Sequence, residues 1–388
     1  MSNKTSTHSS SKQLLLIAGE RSGEEHAMSF VPSLLKSDKN LHLVGVGGDE
    51  LKKEGMELLY HLDDFSSVGF GEVLGRIPFY WKAFHFLLKE VEKRKIQNAI
   101  LVDFQEFNFR LAQKLYAKKI RVFYFVAPQV WAWRSWRTEV LKRVVHRLFC
   151  LFPFEKEYFS QRGFSRAIQI KHPHFHFYEE NKMAIEEKIA RNENRLKIQK
   201  ILILPGSRSS EVAELLPIFL KTIMALQEKN KDSEFEVHLL WARPELKERF
   251  GSIVPSFITS FVGEKHLTSQ LLWGEMAFAA SGTVTLLCAL FSLPTIVCYR
   301  LSLFSTFIFR EFIKYKGYVS LPNIIMKEEV FSELLQERSD PFELEHCFLK
   351  WYHGHDLFHE VKRKLASFPS LLSGDSVNVG ELIGRELI

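Results

Sequence analysis

The stretch MAFAASGTVTLLCALFSLPTIVCY, residues 276–299, decides the fold. It carries no charged residue and is long enough to cross a bilayer. Yet Ser281-Gly282-Thr283, Thr285, Ser292 and Pro294-Thr295 interrupt it. Gly and Pro divide it into three short apolar pieces. A strand, a buried helix and a second strand fit these pieces better than one transmembrane span. That succession is the grammar of a parallel α/β sheet, whose strands read as continuous apolar runs.

The same grammar recurs on both sides. Downstream of a polar, charged helix over 179–200, residues 201–204, 237–241 and 257–262 read as strands, and 205–212 as a turn opening a helix. Upstream, residues 13–18, 41–46, 98–102 and 121–126 read as strands. Helices are expected from the turn at 19–23 to about 36, over 47–54, and over 109–118. Residues beyond 337 read as helical. The expectation is an α/β protein of two doubly wound halves, with the break near 175–200. The domains are set at 13–180 and 195–344, with helices of 345–388 packing back on the first.

Composition bounds the function. The 388 residues carry 52 Lys and Arg against 46 Asp and Glu, so the net charge is +6. With 46% hydrophobic residues the chain is neither disordered nor fibrous. Its 34 Phe and 7 Trp, beside mild basicity, suit an anionic and partly greasy partner: a membrane surface or nucleic acid. Cys150, Cys288, Cys298 and Cys347 are too scattered for a zinc or redox pair, and suit free thiols in a reducing cytoplasm. The first residues read as a polar tail, and the apolar run 14–18 is too short for a signal peptide.

No dinucleotide fingerprint, P-loop, HExxH or metal constellation is present. Leu204-Pro205-Gly206-Ser207-Arg208 follows a strand; Gly206 permits a tight turn, Ser207 fits an N-cap, and Arg208 sits where open α/β sheets bind ligands. A solvated Arg is the plain alternative. Ser281-Gly282-Thr283 opens a helix whose N-terminus favours phosphate, or is an ordinary cap. Gly19-Glu20-Arg21-Ser22-Gly23 takes the matching position in the first half. Asp103 ends a strand among apolar residues, where desolvation raises basicity and suits it to take a proton from a hydroxyl; a helix cap is the alternative. Residues 127–137, with Trp131, Trp133, Arg134, Trp136 and Arg137, suit either base stacking or internal cation–π packing. Residues 66–88 are aromatic with basic rims, as a membrane-facing element or a buried helix pair requires.

Taken together, these strings resemble the lipid-A-disaccharide synthases, GT-B glycosyltransferases. The matching pieces run in order: AGERSGEEHA (18–27), GVGGDELKKEGME (45–57), VGFGEVLGRIP (68–78), VDFQEFNFRL (102–111), APQVWAWR (127–134), LFPFEKEYF (151–159), LPGSRSSEV (204–212), ASGTVTLLCAL (280–290) and YVSLPNII (318–325). They cover most of residues 13–336. The resemblance implies two Rossmann-like domains facing a cleft. It also implies an inverting transfer of 2,3-diacylglucosamine from UDP to the 6-hydroxyl of 2,3-diacylglucosamine 1-phosphate, giving the β-1,6 disaccharide and UDP. It implies work at the cytoplasmic face of the inner membrane, bound peripherally to an anionic surface, by an intertwined homodimer without metal or cofactor and without nucleic acid.

On this resemblance Asp103 is the base and Arg208, with Ser207, faces the UDP phosphates. Ser281, Gly282 and Thr283 meet the pyrophosphate, Tyr299, Ser320 and Asn323 shape the donor pocket, and Glu20, Ser22 and Gly23 line the acceptor side. Three departures stand out. Leu287 occupies a position where the family usually has a Glu, which would hold the nucleotide ribose. Glu24 follows Ser22-Gly23 where Asp is common, and Lys171 precedes His172-Pro173 where Gly is common. They suit a divergent member. The rival readings are another UDP-sugar GT-B enzyme, or a lipid- or nucleotide-binding paralogue without turnover.

Overall fold

A computed structural model describes residues 12–65, 70–130, 135–192, 198–229, 235–300 and 317–388, without the side chains of 70–75 and 192. The polar tail over 1–11, the residues Trp131, Trp133 and Arg134, and the first part of the 66–88 element lie outside the described residues. The chain forms two compact units: Met1–Pro173 with Ser373–Ile388, and His174–Leu372.

The first unit is built on strands β1 (Lys12–Ala18), β2 (Leu41–Gly47), β3 (Glu57–His61), β4 (Asn98–Val102), β5 (Arg121–Phe125), β6 (Arg147–Cys150) and β7 (Ala167–Gln169). All pair in parallel, in the order β3-β2-β1-β4-β5-β6-β7. Leu14 to Ala18 are wholly buried, as helices on both faces require. The second unit holds β8 (Lys200–Leu204), β9 (Glu236–Trp241), β10 (Thr259–Val262), β11 (Met276–Ala280), β12 (Thr295–Tyr299) and β13 (Glu333–Leu335). These are also parallel, in the order β10-β9-β8-β11-β12-β13.

The stretch 276–299 is β11, the helix Thr283–Leu290 and β12. Its lack of charge reflects burial: Thr285 to Leu290 all lie inside the unit. Among the described residues no helix is long and apolar enough to cross a membrane.

In each sheet the winding reverses once, between β1 and β4 and between β8 and β11. Helices leaving adjacent strands in opposite directions open a crevice at the carboxyl ends there.

The expectation that 345–388 packs on the first unit needs correction. The helices Pro341–His353 and His355–Leu372 belong to the second unit, packed against Ser209–Lys229 and Thr283–Leu290. Their amphipathic faces bury Phe348, Trp351 and Leu365 there. Only the segment after Leu372 joins the first unit, where the helix Val379–Glu386 lies on Val31–Ser37. Gly374 makes the turn at φ 67° with its Cα against the Ile170–Lys171 peptide, leaving no room for a side chain.

Candidate active site

At the first reversal, β4 ends in Val102 and the chain turns through Asp103 (φ 49°) and Phe104 (φ 47°). Two successive left-handed residues, neither of them glycine, store strain that the surroundings must hold. Asn108 does part of this: its Nδ2 donates to Val102 O at 3.1 Å and to Asp103 O at 2.8 Å. The Phe104 ring packs among Phe65, Tyr80 and Phe107 and against the Gly19 backbone. A Cβ at Gly19 would lie 2.6 Å from that ring, so any side chain there must displace Phe104. The helix after this turn starts at Gln105, four residues before the expected start.

The turn aims Asp103 at the end of β1. Ser22 Oγ donates to Asp103 Oδ2 at 3.3 Å. Burial pushes the Asp103 carboxyl up, against the Ser22 hydroxyl and the Phe104 N–H, which favour its charged form. Glu20 is raised too, by burial and then by the Asp103 charge. So Glu20, Ser22 and Asp103 come together. Gly23 is buried below them, its Cα over Ala18 and the Val102 carbonyl. Glu24 is turned away: its carboxylate accepts the N–H of Gly48 at 2.9 Å and of Leu51 at 3.0 Å, capping the helix Asp49–Lys53. That departure is therefore a structural cap.

At the second reversal, Gly206 takes φ 113°, a left-handed turn that glycine allows without strain. The helix begins at Ser209, so Ser207 is not its N-cap. Glu211 does the capping: Oε2 accepts the Ser207 and Arg208 N–H groups, each at 3.3 Å, while Oε1 pairs with the Arg208 guanidinium at 2.9 Å. Arg208 remains largely exposed, its side chain 79% accessible. Arg243 donates to Ser207 O at 2.8 Å, bringing a second cation to the loop.

A cavity of about 390 Å³ opens here, within the second unit. Ser207, Arg208, Ser281, Gly282 and Thr283 all line it, and Leu287 forms part of its wall. The Thr283–Leu290 helix thus presents its N-terminus to the same space as Arg208, a pairing that favours an anion. Gly282 is exposed, with open space among the described residues where a side chain would stand. Trp241, wholly buried, also lines the cavity, and its Nε1 has no hydrogen-bond partner among the described residues.

Tyr299, Ser320 and Asn323 are not among the residues lining that space. Tyr299 ends β12, half-buried, its hydroxyl raised by burial and by Glu211. Ser320 and Asn323 are wholly buried and spent on Glu333. Its Oε1 accepts Ser320 Oγ at 2.7 Å and Asn323 Nδ2 at 2.8 Å, while Asn323 Oδ1 accepts the N–H groups of Val330 and Phe331. Both therefore fix the backbone before β13 instead of lining the cavity. The cavity wall also holds groups not singled out above, His174, Phe177 and Glu264. The ends of β9 and β10 at Trp241 and Gly263-Glu264 were findable by the strand-end rule; His174 and Phe177 carried no such signal.

In the aromatic–basic cluster, Arg137 is buried, pairs with Glu106 at 2.7 Å and lies 4.4 Å from the Phe109 ring centre. For this residue internal packing is the observed role.

The family model described as Lipid-A-disaccharide synthetase matches residues 14–363. A lipid-A-disaccharide synthase of Francisella philomiragia is 31% identical over 356 residues, covering 90% of this chain and 88% of its own length. That of Myxococcus xanthus is 32% identical and covers 85% of both. Among solved structures, the UDP-GlcNAc 2-epimerase from Neisseria meningitidis bound to UDP-GlcNAc matches with TM-score 0.55 at 11% identity, covering 96% of this chain and 98% of its own. MurG of Acinetobacter baumannii matches with TM-score 0.54 at 13% identity, covering 97% and 98%. These structural likenesses show the GT-B fold.

Proposed function

The chain belongs to the lipid-A-disaccharide synthase family and is a UDP-sugar glycosyltransferase of lipid A synthesis; on that premise we propose how its residues divide the work. Asp103 is the general base. It takes the proton of the acceptor 6-hydroxyl as that oxygen attacks the anomeric carbon of the donor sugar and UDP departs. One displacement inverts the configuration. A desolvated carboxylate is the stronger base for that step, which is why the burial of Asp103 supports the role. Glu20 and Ser22 border the acceptor hydroxyl, with Gly23 keeping their helix close to β1.

In the second unit Arg208 and the N–H groups at Ser281-Gly282-Thr283 receive the UDP diphosphate and offset the charge that grows on it. We propose that the donor is UDP-2,3-diacylglucosamine and the acceptor 2,3-diacylglucosamine 1-phosphate. The observation that carries this reading is the placing of a raised carboxyl at one switch point and an arginine-lined helix N-terminus at the other.

We further propose that the enzyme is a homodimer bound peripherally to the cytoplasmic face of the inner membrane. The helix Phe70–Lys93 supports the membrane contact: Ile77 and Trp81, one turn apart, are exposed at 55% and 64%. Incubating the purified protein with the UDP donor and the 1-phosphate acceptor tests the reaction. Disaccharide and UDP in equal amounts are expected; UDP release with no disaccharide would overturn it.

A further inference from the structure

The first unit carries another cavity, at the opposite ends of its strands from Asp103. It measures about 590 Å³ and opens beside Arg121, where β5 begins. Lys119, Arg121, Arg143 and Arg166 line it, and no acidic side chain does. Two helices, Gln105–Ala117 and Arg137–Val144, end at this cavity. Cations commonly gather at such ends to balance the exposed carbonyls, and part of this cluster does that. Arg166 Nη2 donates to Lys142 O at 2.7 Å and to Val145 O at 3.2 Å. Arg121 donates to the Glu386 carbonyl.

The remaining charge has no such task. Lys119 and Arg143 are exposed and have no ion-pair or side-chain hydrogen-bond partner among the described residues. The nearby acids are engaged elsewhere. The Glu386 carboxylate holds Arg147 and, at 3.0 Å, His146. Glu139 pairs with Lys142 at 3.4 Å. Ile388 O accepts Asn98 Nδ2 at 3.4 Å. Arg121 and Arg166 each present five N–H donors, so the bonds above leave several of them free to face the cavity. Four cations around a void, two of them unpaired and faced by no acidic side chain but only by the terminal carboxylate of Ile388, leave a surplus of positive charge that suits an anion from outside.

We propose that this cavity binds a phosphate-bearing ligand, through a terminal phosphate or diphosphate, separately from the nucleotide cavity of the second unit. Lys119 and Arg143 supply the charge, and the two remaining guanidinium groups supply directed donors. A lipid headgroup and a soluble phosphate present the same oxygens.

The test uses the full chain saturated with UDP, so that the second unit's anion cavity is filled. Calorimetry with inorganic pyrophosphate is run beside sedimentation with phosphatidylcholine vesicles with and without phosphatidic acid. Wild type is expected to bind pyrophosphate, or vesicles in a phosphatidic-acid-dependent way. The double variant Lys119→Ala/Arg143→Ala, which removes no internal side-chain bond, is expected to bind roughly tenfold more weakly or worse with an unchanged melting profile. Vesicle binding alone assigns the headgroup; pyrophosphate binding assigns a soluble phosphate. Equal binding by wild type and double variant, or binding of neither probe, overturns the proposal.

Discussion

The two switch-point turns solve opposite problems with opposite backbones. The Asp103 turn is strained, carries no glycine, and is held by the Asn108 amide and a packed aromatic group. The Gly206 turn is relaxed at its glycine, and its Arg208 is solvated, its side chain tethered among the described residues to Glu211 alone. In the role proposed for Asp103, a proton acceptor must be partly desolvated and fixed, because burial raises its basicity. A phosphate receptor must stay charged and able to reach. The difference predicts rigid, costly failures in the first turn and graded ones in the second.

The deepest break is Asp103→Ala. Turnover should fall by up to about 10⁴-fold, while UDP affinity measured by calorimetry stays near wild type, since the nucleotide is assigned to the other unit. A fully active variant removes Asp103 as base. Arg208→Ala comes next. Removing one donor from a developing oxyanion costs about 10²–10³-fold, so kcat should drop with acceptor KM little changed. Activity equal to wild type would leave Arg208 as a solvated surface cation.

Gly19→Ala tests the rigidity of the first turn. The new methyl meets the Phe104 ring at 2.6 Å, and overpacking of this kind costs about 1–3 kcal/mol. Thermal melting should show that loss. An unchanged melt would mean the Phe104 ring shifts freely and the turn is not held as argued.

The two turns also differ in how plainly the sequence spells them. Strands of five or more residues with apolar runs, such as residues 14–18 and 201–204, announce themselves because both faces are buried. β3, β6, β7 and β13 did not. They are short or half-exposed; β7 and β13 have three residues each, and Glu333 in β13 serves as an acceptor for Ser320 and Asn323. The Gly206 turn is written in its glycine. The Asp103–Phe104 turn is written nowhere locally, since its left-handed residues are held by Asn108 and by rings from distant segments. That is why the sequence places the helix start at 109 instead of Gln105, while the position of Asp103 at a strand end is readable from the apolar run before it. The burial of Ser320 and Asn323 was equally hidden: polar residues in a matching string look like ligand contacts until their partners are seen.

Ser22→Ala probes the first turn more finely. The Ser22 hydroxyl donates to Asp103 and favours the carboxylate, so its loss leaves burial less opposed and raises the Asp103 pKa further. Only the ionised form accepts a proton. Activity therefore falls as pH drops through that pKa, and the acid limb of kcat/KM should move to higher pH in the variant. A limb at the wild-type position would detach Ser22, or Asp103, from the titrating group.

The mildest change, Leu287→Glu, tests whether the second turn's tolerance extends to its cavity wall. Leu287 is 4% exposed and lines the same space as Arg208 and the Ser281–Thr283 turn. A carboxylate there could accept ribose hydroxyls, each such bond contributing about 1 kcal/mol net, but it must first lose water in an apolar wall, which opposes the gain. Arg208 and the helix N-terminus lining the same cavity reduce that cost, because both favour negative charge. The balance predicts a few-fold tighter UDP affinity by calorimetry with the melting profile retained. Unchanged or weaker binding by a folded variant would mean that the apolar wall at Leu287 is matched to the nucleotide as it stands, and that the ribose is recognised from elsewhere in the cavity.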